Sequence, residues 1–344
     1  MLERLSLQDF RGYSQVEFEF APLTVFVGSN GAGKTNILEA ISLLSMTTSW
    51  RTEKDSEVIR WEQPFCRVVG GRHELVIQRS PYLKRLRIDG IAKRTYQVIG
   101  DMPTVLFQPD DIQIIYGSPA GRRQYLDRTV SQTSTIYTRA ILELAKVLKQ
   151  RNRLLKMISE NNAGTDELVF WDSELEKLHE TITGPRQEFL KFLNMRLPSI
   201  FAQMVPQGGG MAAEYLQSPR HPHPGFLAHL KAQRHKELVN GSTLYGPHRE
   251  DVGLRWGEHL VSESMSRGQS RALLLAMKIV ELEYISEKNE IRPILLLDDI
   301  FSELDQERRE RLVAVLGDYQ AILTTTELGT VRELLPKQAK VVEI

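Results

Sequence analysis

The sequence predicts an α/β protein in which a phosphate-loop sheet with flanking helices is interrupted by a mainly helical insertion. Three observations carry this. The apolar stretch Leu23–Val27 runs into Gly28-Ser29-Asn30-Gly31-Ala32-Gly33-Lys34-Thr35 and then into helical spacing. A second apolar strand, Ile294-Leu295-Leu296-Leu297, ends in Asp298-Asp299. Between them, residues 122–204 are helix-patterned and poor in glycine.

In chain order, residues 2–7 and 16–20 alternate apolar and polar side chains as half-buried strands do. Residues 36–46 continue from the glycine loop with helical spacing. His73–Gln78 and residues 86–88, with Asp89-Gly90 as a turn signal, predict further strands. Helices are expected at 136–158, 166–182 and 186–201, with Gly184-Pro185 separating the last two. Residues 206–224 contain Gly208-Gly209-Gly210 and four prolines and read as a loop. Strand–helix alternation then returns: helix 270–285, strand 294–297, helix 305–316, strand Ala321–Thr325 and a last strand at 340–344.

Composition narrows the class. The chain has 344 residues, 41% hydrophobic and 26% charged, as soluble globular proteins do. Lys+Arg and Asp+Glu are both 44, so any surface for a polyanion must be local. The single cysteine, Cys66, excludes an intramolecular disulfide and a cysteine-rich zinc site. No apolar run approaches the roughly 20 residues of a membrane helix. The charged, alternating N-terminus is not a secretory signal. A cytoplasmic protein is expected.

The phosphate loop fits G-x-x-x-x-G-K-[ST] with the required strand before it and helix after it. Its glycines let backbone N–H groups curl around phosphates at a helix N-terminus. Lys34 is expected at the β- and γ-phosphates and Thr35 on Mg²⁺. Asp298 occupies the place of a Walker B metal-holding acid, and Asp299 that of a side chain orienting the attacking water. Either acid could end an ordinary solvated turn; the intact phosphate loop decides for the metal role. Lys34 and Asp298 lie 264 residues apart, further than in a compact G-protein-like domain. Met265-Ser266-Arg267-Gly268-Gln269 opens a long helix. By itself it reads as a cap with Ser266 at the N-cap position.

Together these segments resemble the ABC ATPases, in the branch that holds SMC heads and RecF proteins. Met265-Ser266-Arg267-Gly268-Gln269 is similar to the L-S-G-G-Q signature, with Arg267 for a glycine. The segment from Leu297 to Asp305 resembles a Walker B strand running into a D-loop, and Phe107-Gln108-Pro109-Asp110 a Q-loop. Further strings narrow the resemblance to the RecF family. They are Asp9-Phe10-Arg11-Gly12-Tyr13, Asn36-Ile37-Leu38-Glu39-Ala40, Gly117-Ser118-Pro119 with Arg122-Arg123, and Gly246-Pro247-His248-Arg249-Glu250-Asp251.

The resemblance implies an ABC-type ATPase domain at 1–115 and 237–344 around an insertion at 116–236. It implies that Gly28, Ser29, Asn30, Gly31, Ala32, Gly33, Lys34, Thr35 and Asn36 bind ATP. Ser266, Gly268 and Gln269 would close the partner protomer's nucleotide. Thr35, Asp298 and Gln108 would hold Mg²⁺, and Asp299 and Gln108 would be catalytic. It further implies a homodimer formed on ATP that binds double-stranded DNA near single-strand gaps. With RecO and RecR, such a protein helps load RecA in DNA-damage repair and opens on slow hydrolysis. Two departures bear on rate: Asp299 stands where most ABC enzymes carry Glu, and Thr324-Thr325-Thr326 replace a switch histidine. A transporter motor is the first alternative; the long insertion and the missing histidine speak against it. An SMC-like structural head is the second, and lacks the heptads it would need.

Other signals are weaker. Residues 122–156 hold nine Arg/Lys against Asp127 and Glu143, and residues 79–94 hold six against Asp89. Arg122, Arg123, Arg151 and Arg153 are first candidates for phosphate contacts. His221-Pro222-His223-Pro224 looks ligand-like, but a proline-rich loop without cysteines is a poor metal site. Arg11, Tyr13 and Trp50 fit either the adenine or the core.

Overall fold

The computed structural model describes residues 1–205, 210–220 and 225–326, together with 329, 332, 336 and 338–344. Gly208-Gly209 and His221-Pro222-His223-Pro224 lie outside the described residues. Packing divides the chain into two compact units, Met1–Ile112 with Arg271–Ile344, and Gln113–Ser270.

The first unit opens with β1 (Arg4–Phe10) and β2 (Tyr13–Glu19), then β3 (Leu23–Val27) and α1 (Lys34–Met46). An antiparallel run follows: β4 (Phe65–Gly70), β5 (His73–Gln78), β6 (Leu83–Ile88) and β7 (Ile91–Lys93), then the short α2 (Thr95–Val98) and β8 (Thr104–Phe107). β2, β1, β4, β5, β6 and β7 neighbour one another in that order. Ile88 pairs with Ile91 across Asp89-Gly90, whose φ angles of +52° and +75° are those of a type I′ hairpin turn. The sheet turns Leu5, Leu7, Phe10, Cys66, Val68, Leu75 and Ile77 inward onto Ile37, Leu38, Ile41 and Leu44 of α1. Burial pushes the Cys66 thiol up to about 12, so this cysteine is a packing residue.

The second unit begins with α3 (Gln113–Tyr116), α4 (Pro119–Ser131), α5 (Thr135–Ser159) and α6 (Leu168–Ala202). Helix α6 runs straight through Gly184-Pro185, where the sequence suggests a break. Pro185 removes one backbone hydrogen bond, a cost of about 3 kcal/mol. The buried stripe nonetheless continues across it, with Leu175, Leu178 and Ile182 before and Phe189, Leu190 and Leu193 after. The next residue, Arg186, is anchored to Asp127 (2.8 Å), the Pro247 carbonyl (2.8 Å) and Glu250 (3.1 Å). Tertiary contacts outweigh the local penalty. Residues 206–224 also depart from a plain loop: β9 (Met211–Leu216) lies inside them, with Met211 and Ala213 buried.

The unit continues with α7 (Phe226–Ala232), α8 (Arg234–Asn240), β10 (Asp251–Trp256), β11 (His259–Leu260) and α9 (Val261–Ser264). β10 pairs with β9 over all six residues, which ties residues 251–256 to the helical unit. The unit is held by buried charges. Arg151 is fully buried and donates to Asp172 (2.9 Å), Glu237 (2.5 Å) and Thr243 (2.9 Å). Arg151→Met should destabilise the protein by about 3–5 kcal/mol, because buried Glu237 loses its cation and buried Asp172 keeps only Arg234. A thermal midpoint roughly 10 °C lower is expected for a unit of this size. A midpoint that did not move would show these carboxylates to be stable without the arginine.

Helix α10 (Arg267–Asn289) returns the chain to the first unit, followed by β12 (Ile294–Asp298), α11 (Gln306–Leu316), β13 (Ala321–Thr325) and β14 (Lys340–Glu343). The strands order as β14-β3-β13-β12-β8, every neighbouring pair parallel. Phe26, Leu106, Leu296 and Ile322 of this sheet join the same core as α1. Parallel strands buried on both faces explain the near-continuous apolar runs at 23–27 and 294–297.

Candidate nucleotide-binding site

Parallel strands deliver all their C-terminal ends to one edge of the sheet, where ligands of open α/β sheets bind. β3 ends there in the phosphate loop, β12 in Asp298, β13 in Thr325 and β8 in Phe107, next to Gln108. β13 lies between β3 and β12, so the loop and the acid pair spring from strands about 10 Å apart. The first turn of α1 closes that gap. The Thr35 hydroxyl donates to Asp298 Oδ1 at 2.9 Å.

The loop has the shape of an anion cradle. Gly31 and Gly33 hold φ of +85° and +107°, where a side chain would be strained. A Cβ on Gly33 would also stand 2.8 Å from the Tyr13 hydroxyl, and one on Gly28 would stand 2.4 Å from the Ile344 carbonyl. Ser29, Asn30 and Gly31 are exposed along the loop. Lys34 is buried, and its ammonium donates to the Gly28 carbonyl (2.7 Å) and the Ser29 carbonyl (2.9 Å). A cation held by two neutral carbonyls over exposed backbone N–H groups suits a phosphate chain.

The two acids differ in their surroundings. Asp298 Oδ1 accepts from Thr35 and from the Thr324 hydroxyl (2.7 Å). Thr324 Oγ1 in turn accepts from the Asp299 N–H at 3.1 Å. One threonine on the neighbouring strand therefore ties both aspartates, and Asp298↔Thr324 is a register pair of β12 and β13. Asp299 sits at φ +52°, and its Oδ1 is buried with no partner among the described residues. Burial raises the Asp299 carboxyl above the usual range; Lys34 opposes this and Asp298 adds to it. A backbone hydrogen bond from Thr326 also opposes the rise, and one Asp299 oxygen is left unpartnered among the described residues beside the doubly hydrogen-bonded Asp298.

Gln108 follows Phe107, the last residue of β8, which pairs with Leu297 just before Asp298. Its backbone N–H donates to Asp111 (3.1 Å). The unit thus gathers Gly28, Ser29, Asn30, Gly31, Ala32, Gly33, Lys34, Thr35, Asn36, Gln108, Asp298 and Asp299 on one edge. Ser266, Gly268 and Gln269 belong to the other unit. There Ser266 is exposed, the Gln269 N–H donates to Ser266 Oγ (3.3 Å), and the Ser266 N–H donates to the Gln269 carboxamide (2.9 Å). This reciprocal cap opens α10.

The three adenine candidates lie in the first unit, Tyr13 with its hydroxyl against Gly33 of the phosphate loop. Arg11 makes a two-pronged ion pair with fully buried Glu39 (2.5 and 2.9 Å). Tyr13 and Trp50 pack on the core. Arg51 joins the cluster, donating to Glu39 (3.3 Å) and to Asn36 Oδ1 (2.8 Å). Sequence reasoning gave Glu39, Arg51 and Thr324 no role. The available signal was an acid inside the apolar run Ile37-Leu38-Glu39-Ala40-Ile41, which is costly unless paired.

Of the four arginines first considered for DNA, three are structural. Arg122 holds Asp251 at 2.8 and 2.9 Å, Arg123 donates to the Glu250 carbonyl, and Arg151 is buried. Only Arg153 is exposed. Among the described residues no helix is long and apolar enough to cross a membrane, and no cluster of His, Cys, Asp or Glu suits a metal by itself.

The family model for the RecF/RecN/SMC N terminal domain matches residues 1–342. The DNA replication and repair protein RecF of Herpetosiphon aurantiacus is 36% identical, over 95% of this chain and 93% of its own. This chain belongs to the RecF family. A solved structure described as the recombination mediator protein RecF with ATPrS, in the RecFOR pathway, superposes with a TM-score of 0.88. It is 30% identical and covers all of this chain and 96% of its own. A second, described as RecF with ATP, gives 0.86 at 31% identity over 95% of this chain and 92% of its own. The fold is that of an ABC-type ATPase head.

Proposed function

We propose that this chain is an ATP-controlled DNA-binding protein of recombinational repair, which closes as a homodimer on ATP and opens after slow hydrolysis. The observation that carries this is the joined set Lys34, Thr35, Asp298, Thr324 and Asp299 beside an exposed cradle. In this reading Lys34 exchanges its two carbonyl partners for β- and γ-phosphate oxygens. The Thr35 hydroxyl and Asp298, already 2.9 Å apart, form the place for Mg²⁺, with Gln108 just past the end of the adjacent strand β8. When bound, Mg²⁺ neutralises charge on the phosphate oxygens. Asp299 orients the attacking water and accepts its proton. An aspartate reaches one carbon less far than a glutamate, and no histidine stands at Thr324-Thr325-Thr326; both support slow turnover.

The dimer places exposed Ser266, with Gly268 and Gln269, on the partner's nucleotide, so that ATP acts as the glue between protomers. Closed dimers bind double-stranded DNA beside single-strand gaps in the cytoplasm, where RecO and RecR join them to load RecA.

Asp299→Asn tests the chemistry. Hydrolysis should fall by roughly 100-fold, in keeping with loss of a general base, while ATP binding persists. Sedimentation with Mg²⁺-ATP should then show dimers that outlast those of the wild type. Unchanged phosphate release would reduce Asp299 to a residue that starts the D-loop.

A further inference from the structure

We infer that the exposed face of α5 is a duplex-binding surface that tracks the phosphodiester backbone; the inference rests on the DNA-binding reading above. Helix α5 carries six cations against one acid, Glu143. Arg151 is turned inward and neutralised by Asp172 and Glu237. The other five, Arg139, Lys146, Lys149, Arg153 and Lys156, are all exposed. At 100° per residue they fall within an arc of about 100°, and they extend over roughly 26 Å of helix. Among the described residues none of them is paired with a carboxylate. This is not the ordinary solvated face of the molecule. Helix α11 shows that alternative, with Glu307, Arg308, Arg309, Glu310 and Arg311 mixed in sign and Arg308 tied to Asp305. In a chain whose charges cancel overall, five unpaired cations on one helix face are segregated charge.

The chemistry of the face selects its partner. A duplex presents one negative charge per roughly 1.7 Å of axis, so a cation row of this length meets several phosphates whatever the sequence. A lipid surface would need the helix's apolar side outward, but Leu144, Val147, Leu154 and Leu155 are buried. A protein interface would need an aromatic or aliphatic anchor among the cations. Leu142, 39% exposed, is the one exposed large apolar side chain in the arc; Ile136, 74% exposed, stands about 60° outside it near the start of α5, and Phe170, 61% exposed, belongs to α6.

The test uses the full-length protein with Lys146→Gln, Lys149→Gln, Arg153→Gln and Lys156→Gln combined. Binding to a duplex of arbitrary sequence with Mg²⁺-ATP is followed by anisotropy between 50 and 200 mM salt. The slope of log K against log salt should flatten by about 3 to 4, and affinity at 100 mM salt should fall by at least roughly tenfold. A variant with Lys146→Arg, Lys149→Arg and Lys156→Arg should keep the wild-type slope, which separates charge from damage to the helix. ATP binding and the ATP-induced dimer mass report the underlying reading separately, and both should match the wild type. An unchanged slope with normal dimers overturns the α5 surface alone. A wild-type protein that binds no duplex in ATP overturns the reading and the surface together. Equal loss of binding to phosphatidylglycerol vesicles, with duplex binding intact, overturns the assignment to nucleic acid.

Discussion

Lys34→Met is expected to remove measurable ATP binding, and with it dimer formation and stable DNA binding. The lysine ammonium is the one buried cation of the phosphate loop, held at 2.7 and 2.9 Å by the Gly28 and Ser29 carbonyls. On ATP it would exchange neutral acceptors for charged phosphate oxygens. Charge-assisted hydrogen bonds are worth about 1.5–3 kcal/mol each. Losing two or three of them weakens affinity by on the order of 10³-fold or more. Methionine has a similar unbranched stem, so the loop and α1 should stay folded and the thermal midpoint should hold. Equilibrium titration with a fluorescent ATP analogue checks this. Wild-type affinity in the variant would remove the phosphate loop from the nucleotide site.

Ser266→Arg separates binding from association. The side chain lies at the start of α10 in the unit that does not carry the phosphate loop, and it is exposed. Arginine there loses the cap to the Gln269 N–H, a cost of about 0.5–2 kcal/mol, which does not unfold the protein. If Ser266 serves the partner's nucleotide, the variant monomer binds ATP as the wild type does, yet no ATP-induced dimer sediments. Mixing Ser266→Arg with Lys34→Met protein sharpens the test. In a symmetric dimer both lesions then fall in one composite site and the other is intact. Some ATP-dependent association and hydrolysis should return if one site suffices. Loss of ATP binding by the Ser266→Arg monomer would place Ser266 beside its own nucleotide and end the head-to-tail model.

The glycine loop, the Walker B strand and the outline of an α/β protein around a helical insertion were legible in the sequence, because their causes are local. Consecutive residues make the strand–loop–helix unit, and positive φ at Gly31 and Gly33 demands glycine there. Four buried residues ending in Asp298 mark a parallel strand. Even the Asp89-Gly90 hairpin follows from two adjacent residues.

Only the tertiary structure decided the fate of charges and of one proline. Arg151 and Arg153 stand two residues apart on one helix, yet one is buried and the other faces solvent. The difference lies in Asp172 and Glu237, 21 and 86 residues further on. Glu39 is tolerable in the core because Arg11, 28 residues earlier, reaches it. Thr324 meets Asp298 through the pairing of β12 with β13, which local pattern does not contain. Pro185 stays inside α6 because contacts to Asp127, Pro247 and Glu250 exceed the local cost. Backbone preference and periodicity act over a few residues and can be read directly. Buried ion pairs and strand register depend on partners brought together only by the completed fold.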